Sequence, residues 1–267
     1  MTSFIGYLLA LCGNFILSLG LTLEKKHVGW IHSKQQGPRR QPEEIAWWGA
    51  GFLLTNIQPI FNYFALETLS ANVVAALCGS NVAFTMLLSS WLLQEHIDRQ
   101  KIRWIALMTA SLATVGLTQQ PSVAVFHALS FWVTFSLPAL FALGTFFSLQ
   151  RKWHISEGLL LGISAGSFSG FMVLAMAALK LTEAAFSLHW LLSPYFYIYF
   201  FCGIASLFIS QFAFRRGKMS AFAPSYYGVA VLYPSIAAYF VSGIAVVPFQ
   251  LVGLAGIVVS IVFLEFS

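Results

Sequence analysis

The sequence predicts an all-α membrane protein of nine transmembrane helices, built as two inverted four-helix repeats joined by a connecting helix. Three observations carry this. The chain is 58% hydrophobic and only 9% charged, whereas a soluble domain carries roughly 25% charged residues, so its surface must be solvated by lipid. Apolar segments of about the 20 residues that a span requires recur almost without pause. Finally, thirteen of the 14 Lys and Arg residues fall on alternate loops. No segment alternates in polarity over the roughly 10 residues expected of a barrel strand.

In chain order the spans are predicted at 4–23, 46–66, 72–93, 104–119, 124–149, 159–179, 191–214, 220–241 and 247–265. Lys25, Lys26, Lys34, Arg39 and Arg40 follow the first. Arg99, Lys101 and Arg103 follow the third, Arg151 and Lys152 the fifth, and Arg215, Arg216 and Lys218 the seventh. The opposite loops hold only Lys180. By the positive-inside rule this puts the N-terminus outside and the C-terminus in the cytoplasm, in a multi-pass protein of the cytoplasmic or plasma membrane. Trp30, Trp47, Trp48, Trp104, Trp153 and Trp190 fall at span ends, where an amphipathic ring prefers to sit. No basic stretch precedes the first apolar run, so it is read as a retained span and not a removable signal. The net charge of +5 lies on membrane-flanking loops, so the bilayer and not nucleic acid is the expected partner. Cys12, Cys78 and Cys202 lie within spans without metal-ligand spacing and read as small buried hydrophobes.

The chain also resembles itself. "NYFALETLSANVVAAL" (62–77) is similar to "FAFRRGKMSAFAPSYY" (212–227), an offset of 212 − 62 = 150, with Leu69-Ser70-Ala71 matched by Met219-Ser220-Ala221. "LLALCGNFILSLGLTLEKK" (8–26) similarly resembles "LLGISAGSFSGFMVLAMAALK" (160–180), both rich in Gly and Ser and ending in a basic residue. A single membrane domain, 1–267, is therefore divided into a first repeat at 1–120, a connecting helix at 121–152 and a second repeat at 153–267. Corresponding helices are five spans apart, an odd number, so the halves run in opposite directions. Inverted repeats of this kind are characteristic of secondary transporters, whose site lies near the midplane between repeats. The expected function is alternating-access transport of a small polar solute or ion. A homodimer is compatible with the sequence.

"LALCGNFILSLGLTLEKK" (9–26) resembles the opening helix of NIPA-type proteins, with its Ser-x-Gly step and closing basic pair. "WWGAGFLLTNIQPIFNYFALETLSANVVAALCGSNVAFTMLLSSWLLQE" (47–95) is similar to their second and third helices. The closing Glu95 also resembles the Glu that ends a span of the EamA repeat in the wider drug/metabolite transporter superfamily. The second half resembles only that superfamily, through "LKL" after the sixth span and "AVLYPSIAAYF" (230–240). The resemblance covers nearly the whole chain for the fold and about the first 120 residues for the narrower branch. It implies Mg²⁺ as the transported ion. The alternative is a small organic solute, amino-acid-like or otherwise neutral or zwitterionic.

Polar groups within a bilayer are costly and are functional candidates by default. Asn14, Asn56 and Asn81 lie near the centres of helices one, two and three. They either converge on a solute or bond helix to helix. Gln58 and Asn62 are weaker candidates on the second helix. Pro59 lacks an N–H and leaves the Thr55 carbonyl free beside Asn56, and Pro234 does the same for Ala230. Each proline marks either a binding site in a broken helix or a packing kink. Tyr226, Tyr227 and Tyr233 surround Pro234, and Ser206 and Gln211 are contributions from helix seven. Every carboxylate is expected in a loop or at a span end, with Glu24 beside Lys25 at the inner mouth. Mg²⁺ prefers one or two carboxylates and keeps several waters, so an amide site would meet it through its water shell. No metal ligand set and no cofactor emerges.

"GISAGSFSG" (162–170) reads in two ways. Gly162-Ile163-Ser164-Ala165-Gly166 matches the G-x-S-x-G of serine hydrolases, which needs a strand before it, a helix after it and a His in reach. The stretch lies instead in an unbroken apolar run, and His27, His32, His96, His127, His154 and His189 all fall near span ends. Gly162, Gly166 and Gly170, four apart, are expected to form the small-residue face of a packed membrane helix. No enzymatic activity is expected.

Overall fold

The computed structural model describes residues 2–29, 41–69, 71–118, 127–150, 156–182, 188–242 and 247–266, and every regular element among them is helical. The helices are α1 (Thr2–His27), α2 (Gln41–Leu66), α3 (Ala71–Leu77), α4 (Ser80–Leu92), α5 (Arg99–Thr118), α6 (Ala128–Gln150), α7 (Glu157–Thr182), α8 (Pro194–Arg216), α9 (Met219–Ser242) and α10 (Pro248–Phe266). A 3₁₀ turn, Leu188–Leu192, leads into α8. Five helical stretches are long and apolar enough to cross a membrane: Phe4–His27, Val73–Leu92, Leu129–Leu149, Glu157–Leu179 and Pro194–Arg216. The outer surface is correspondingly apolar, with Leu53, Trp91, Leu129, Leu192, Phe208 and Phe249 each more than half exposed. Lys34, Arg39, Arg40, Arg151, Lys152, Trp30, Trp153, His32, His154 and Glu183 lie outside the described residues.

The segments predicted as nine spans are helical in their described parts except at Leu93, His127, Ser193 and Val247 near their ends, and the third is also broken within. Helix α3 ends at Leu77, and Cys78 and Gly79 separate it from α4. Short i to i−3 bonds tighten the break: Gly79 N–H donates to the Ala76 carbonyl at 3.1 Å and Asn81 N–H to Cys78 at 3.1 Å. Gly79 can sit there because a Cβ would lie 3.0 Å from the Thr109 carbonyl of α5. The Val74 and Ala76 carbonyls keep backbone donors from Cys78 and Gly79, and the break leaves the Leu77 carbonyl free for a side-chain donor. Pro59 and Pro234, by contrast, both remain inside continuous helices.

Successive spans alternate in direction. At one end of the bundle Lys25 of α1 meets Glu95, beyond α4, and the Gly217 carbonyl between α8 and α9, and Arg216 approaches Glu157 of α7 at 3.9 Å. At the other end Gly6 lies against Thr68 and Leu69 beyond α2, and the His127 N–H, at the start of α6, donates to the Val241 carbonyl of α9 at 2.8 Å. Helix α1 packs on α2 and α4, α3 on α5, α7 on α8 and α9, and α5 on α10, while α6 packs chiefly on α7.

Lipid tails are as apolar as leucine, so close packing and not the hydrophobic effect must hold such helices together. Two seams of small residues permit it. In α1, Gly6, Gly13 and Gly20 recur every seven residues; Gly13 and Gly20 face α2 and Gly6 faces Thr68 and Leu69 just beyond it. A Cβ on Gly20 would stand 2.6 Å from the Gly51 carbonyl, and one on Gly51 would stand 2.7 Å from the Gly20 carbonyl. In α7, Gly162, Gly166 and Gly170 face α9. A Cβ on Gly166 would lie 2.5 Å from the Tyr226 carbonyl, and one on Gly170 would lie 3.1 Å from the Ala230 carbonyl that Pro234 leaves unpaired. Ser164 is buried, and its hydroxyl pairs with Thr145 of α6 at 2.6 Å and reaches the Phe141 carbonyl at 3.3 Å. It ties α6 to α7.

Gly166→Leu should therefore force α7 and α9 apart and cost about 1–3 kcal/mol or more, seen as a lower melting temperature or loss of monodisperse protein in detergent. Ser164→Ala removes two interhelical contacts, to Thr145 and to the Phe141 carbonyl, each worth roughly 0.6 kcal/mol, and should melt close to wild type.

Candidate functional site: polar groups between the halves

Asn14, Ser18 and Thr22 are spaced by four and share one face of α1; all three are fully buried. Asn81, Thr85 and Ser89 form the matching buried face of α4. The faces interlock at the break in the third span. Asn14 Nδ2 donates to the freed Leu77 carbonyl at 2.7 Å and to Ser80 Oγ at 3.1 Å. Ser18 Oγ donates to the Asn81 carbonyl at 3.2 Å, and Thr22 turns back onto the Ser18 carbonyl at 2.7 Å. Tyr227 enters from α9, its hydroxyl facing Thr85 and Ser18.

These bonds leave a remainder. Asn14 Oδ1, Asn81 Oδ1, Thr85 Oγ1 and Tyr227 Oη are buried and make no hydrogen bond of good geometry. An unsatisfied buried polar atom costs about 1–3 kcal/mol, and in a bilayer no bulk water relieves it. Four oxygens left open where α1, α4 and α9 meet make a site suited to hydrogen-bond donors: an N–H-bearing solute, or the water shell of a cation. Asn62 also keeps an open Oδ1 and lies beside Cys78 at the same break.

Helix α1 supports two further groups near its C-terminal end. Lys25 Nζ lies 2.9 Å from Glu95 Oε1 and donates to the Gly217 carbonyl at 2.7 Å. Glu95 in turn accepts the Met219 and Ser220 N–H groups, at 2.7 and 2.8 Å, at the N-terminus of α9. This latch fastens the end of α1 and α4 to the α8–α9 connection. Burial works against ionising Glu95, but the Lys25 ammonium and the two backbone donors outweigh it and hold the carboxyl below its ordinary range.

One residue earlier and turned to the α2 side, Glu24 is not at an open mouth as the sequence suggests but 1% exposed. It accepts from the Thr55 hydroxyl at 3.1 Å and from Gln211 Nε2 of α8, and Gln211 Oε1 accepts from the Trp48 indole at 2.9 Å. The signal was present in the sequence. Residue 24 follows Gly20 by four and so lies on the glycine face, while residue 25 follows Ser18 by seven and lies on the α4 face.

The sequence-predicted residues thus divide. Asn14, Asn81 and Tyr227 come together. Asn56 is exposed and bonds the Phe52 carbonyl of its own helix at 2.7 Å, so it does not converge with them. Thr55 and Gln211 gather around Glu24, through the Thr55 hydroxyl and not its carbonyl. Tyr226 donates to Ser169 of α7 at 3.3 Å, and Tyr233 to the Thr134 carbonyl of α6. Ser206 bonds the Ala165 carbonyl at 2.9 Å. Among the described residues no three of His, Cys, Asp and Glu converge as a metal site. No family model matches the chain, and no curated protein or solved structure matches it either.

The latch has a pH signature. Because the Glu95 carboxyl is depressed in the folded state, its stabilisation is complete above the ordinary carboxylate range and fades as pH falls through the lower folded value. Glu95→Gln should lower the melting temperature at neutral pH, and the gap to wild type should close in acid. A gap independent of pH would mean that Glu95 acts without its charge.

Proposed function

We propose that the protein is a secondary transporter of the drug/metabolite type, moving a small polar solute or hydrated cation by alternating access. The observation that carries this is the set of four open oxygens on Asn14, Asn81, Thr85 and Tyr227, where α1 and α4 of the first half meet α9 of the second. Helices have no structural need to bury four unsatisfied polar atoms together, whereas a solute site needs donors and acceptors that are free before the solute arrives.

The inverted-repeat reading is supported by the packing order. The α1 contacts with α2 and α4 have counterparts in those of α7 with α8 and α9, and the α3 contact with α5 has one in α9 with α10. In this reading α1 to α5 rock against α7 to α10, α6 connects them, and the Lys25/Glu95 latch opens and closes the cytoplasmic end. Ser164 is a helix tie and not a nucleophile. The resemblance to NIPA-type proteins makes hydrated Mg²⁺ the first substrate to try, its waters donating to the amide oxygens. A neutral or zwitterionic amine is the second reading, favoured by two open Oδ1 acceptors with no carboxylate bonded to them.

Uptake by reconstituted vesicles, tested with Mg²⁺ and a panel of amino acids and polyamines, decides the reading. Asn14→Leu or Asn81→Leu should each remove an amide interaction worth roughly 1–2 kcal/mol, about a tenfold loss of apparent affinity. Asn56→Leu should leave the kinetics unchanged. If folded Asn14→Leu and Asn81→Leu proteins transport like wild type, the amides only bond helix to helix. Orientation is tested separately: an impermeant thiol reagent applied outside cells should label Glu67→Cys and not Gln100→Cys, and the reverse pattern would invert the topology.

A further inference from the structure

Glu24 is not used by the solute site, and its surroundings differ from those of Glu95. It lies 1% exposed in the seam where Gly20 and Gly51 bring α1 and α2 into backbone contact, and its hydrogen-bond partners are neutral. Thr55 donates from α2, and Gln211 donates from α8. The charged groups on the same elements are turned elsewhere. Lys25 bonds Glu95 and the Gly217 carbonyl, His27 pairs with Glu44 at 2.9 Å, and Arg216 lies over the Phe212 ring and towards Glu157. Lys26, Glu43, Arg215 and Lys218 are exposed.

Taking a carboxylate out of water costs several kcal/mol unless a cation accompanies it. A hard metal ion needs about six oxygen ligands. Here the Gln211 carbonyl oxygen is already taken by Trp48, and Glu24 is the only carboxylate in the group. The Thr55 hydroxyl favours a proton as that cation. Its single hydrogen has two acceptors within reach, the Phe52 carbonyl at 2.8 Å and Glu24 Oε1 at 3.1 Å. With Glu24 ionised, the two contacts must share that one hydrogen in a three-centre bond. With a proton on Glu24 Oε1, each has its own hydrogen: Thr55 donates to Phe52, and the Glu24 O–H donates to Thr55.

We propose that Glu24 is a reversible proton-binding site that couples transport to a proton gradient. The coupling, though not the proton site, rests on the transport reading. The step is protonation alone: the carboxylate takes H⁺ from the aqueous phase on one side and returns it on the other. Glu24 belongs to the first half and Gln211 to the second, so their bond crosses the interface that must move. A hydrogen bond to an ionised carboxylate is roughly twice as strong as one to a neutral acid. Losing the proton therefore tightens α1 onto α8, and gaining it loosens them.

Infrared difference spectroscopy of the full-length protein in lipid vesicles tests the site without a substrate. Acidification should raise a carboxylic C=O band above the frequency of water-exposed acids. The band should be absent in Glu24→Gln and retained in Glu67→Gln, whose carboxyl is exposed at the other end. The same band in Glu24→Gln overturns the proposal. Should Glu24→Gln not fold, Gln211→Leu keeps the carboxyl and should move the midpoint of the band; an unmoved midpoint overturns the role of the bridge. For the coupling, an imposed proton gradient should raise accumulation of whichever probe wild type transports, Mg²⁺ or an amino acid, and the rise should vanish in Glu24→Gln and persist in Glu67→Gln. A rise that survives in Glu24→Gln overturns the coupling. If wild type moves no probe at all, the transport reading and the coupling fall together, while the infrared band still decides the proton site.

Discussion

The contact between Gly20 and Gly51 sets the terms for the rest of the structure. In a bilayer, apolar side chains gain little by leaving lipid for protein, so helices associate only where their surfaces fit closely. At this contact α1 and α2 meet backbone to backbone, each glycine against the other's carbonyl. The approach that excludes side chains from the seam also excludes lipid and water from whatever lies beside it. Glu24, one turn further along, is buried because Gly20 and Gly51 leave it no route outward. The same logic holds across α7 and α9, where Gly166 and Gly170 let the Tyr226 and Ala230 carbonyls approach, and Tyr227, about 100° round the helix from Tyr226, is thereby presented to Thr85 and Ser18.

The break between α3 and α4 is the second dependency. A continuous third span would satisfy the Leu77 carbonyl internally, and Asn14 would have no backbone acceptor to anchor it. By ending α3 early, the chain offers a carbonyl to Asn14 Nδ2, which orients the amide so that its Oδ1 stays open. The open oxygens are thus a consequence of the break. Their burial is tolerable because the neighbouring bonds of Ser18 and Thr22 fix α1 firmly against α4.

The helical class and the approximate spans were legible in the sequence because apolar length is a strong local signal, and the glycines at 162, 166 and 170 because spacing by four marks one helix face. The site was legible only in part. Asn14 and Asn81 could be chosen by depth, but depth does not tell which way a helix is turned, and Asn56 at a similar depth faces outward. Prolines drew attention to Thr55 and Ala230, yet neither carbonyl lies open in the α1–α4–α9 junction; Ala230 abuts Gly170 instead. The break was written in "CGSN" (78–81), a run of small and polar residues hidden inside an apolar stretch. Glu24 was misplaced because a residue near the end of a span looks solvent-accessible in sequence; its burial depends on α2 and α8 arriving from elsewhere.

These parts meet on α1. Among the described residues it is the helix that contributes to all three polar assemblies: Asn14 and Ser18 at the open oxygens, Glu24 against α2 and α8, and Lys25 in the latch with Glu95. Glu24 and Lys25 are adjacent in sequence, about 100° apart around a helix of 3.6 residues per turn, so they address different neighbours. A helix is stiff over this length, and a shift of α1 that loosens Glu24 from Gln211 must also displace Lys25 from Gly217 and Ser18 from Asn81. A rigid displacement of α1 therefore disturbs all three assemblies together. Packed interfaces tend to be bistable and not continuously deformable, which makes a single stiff helix bearing all three a sound mechanical basis for moving between two arrangements.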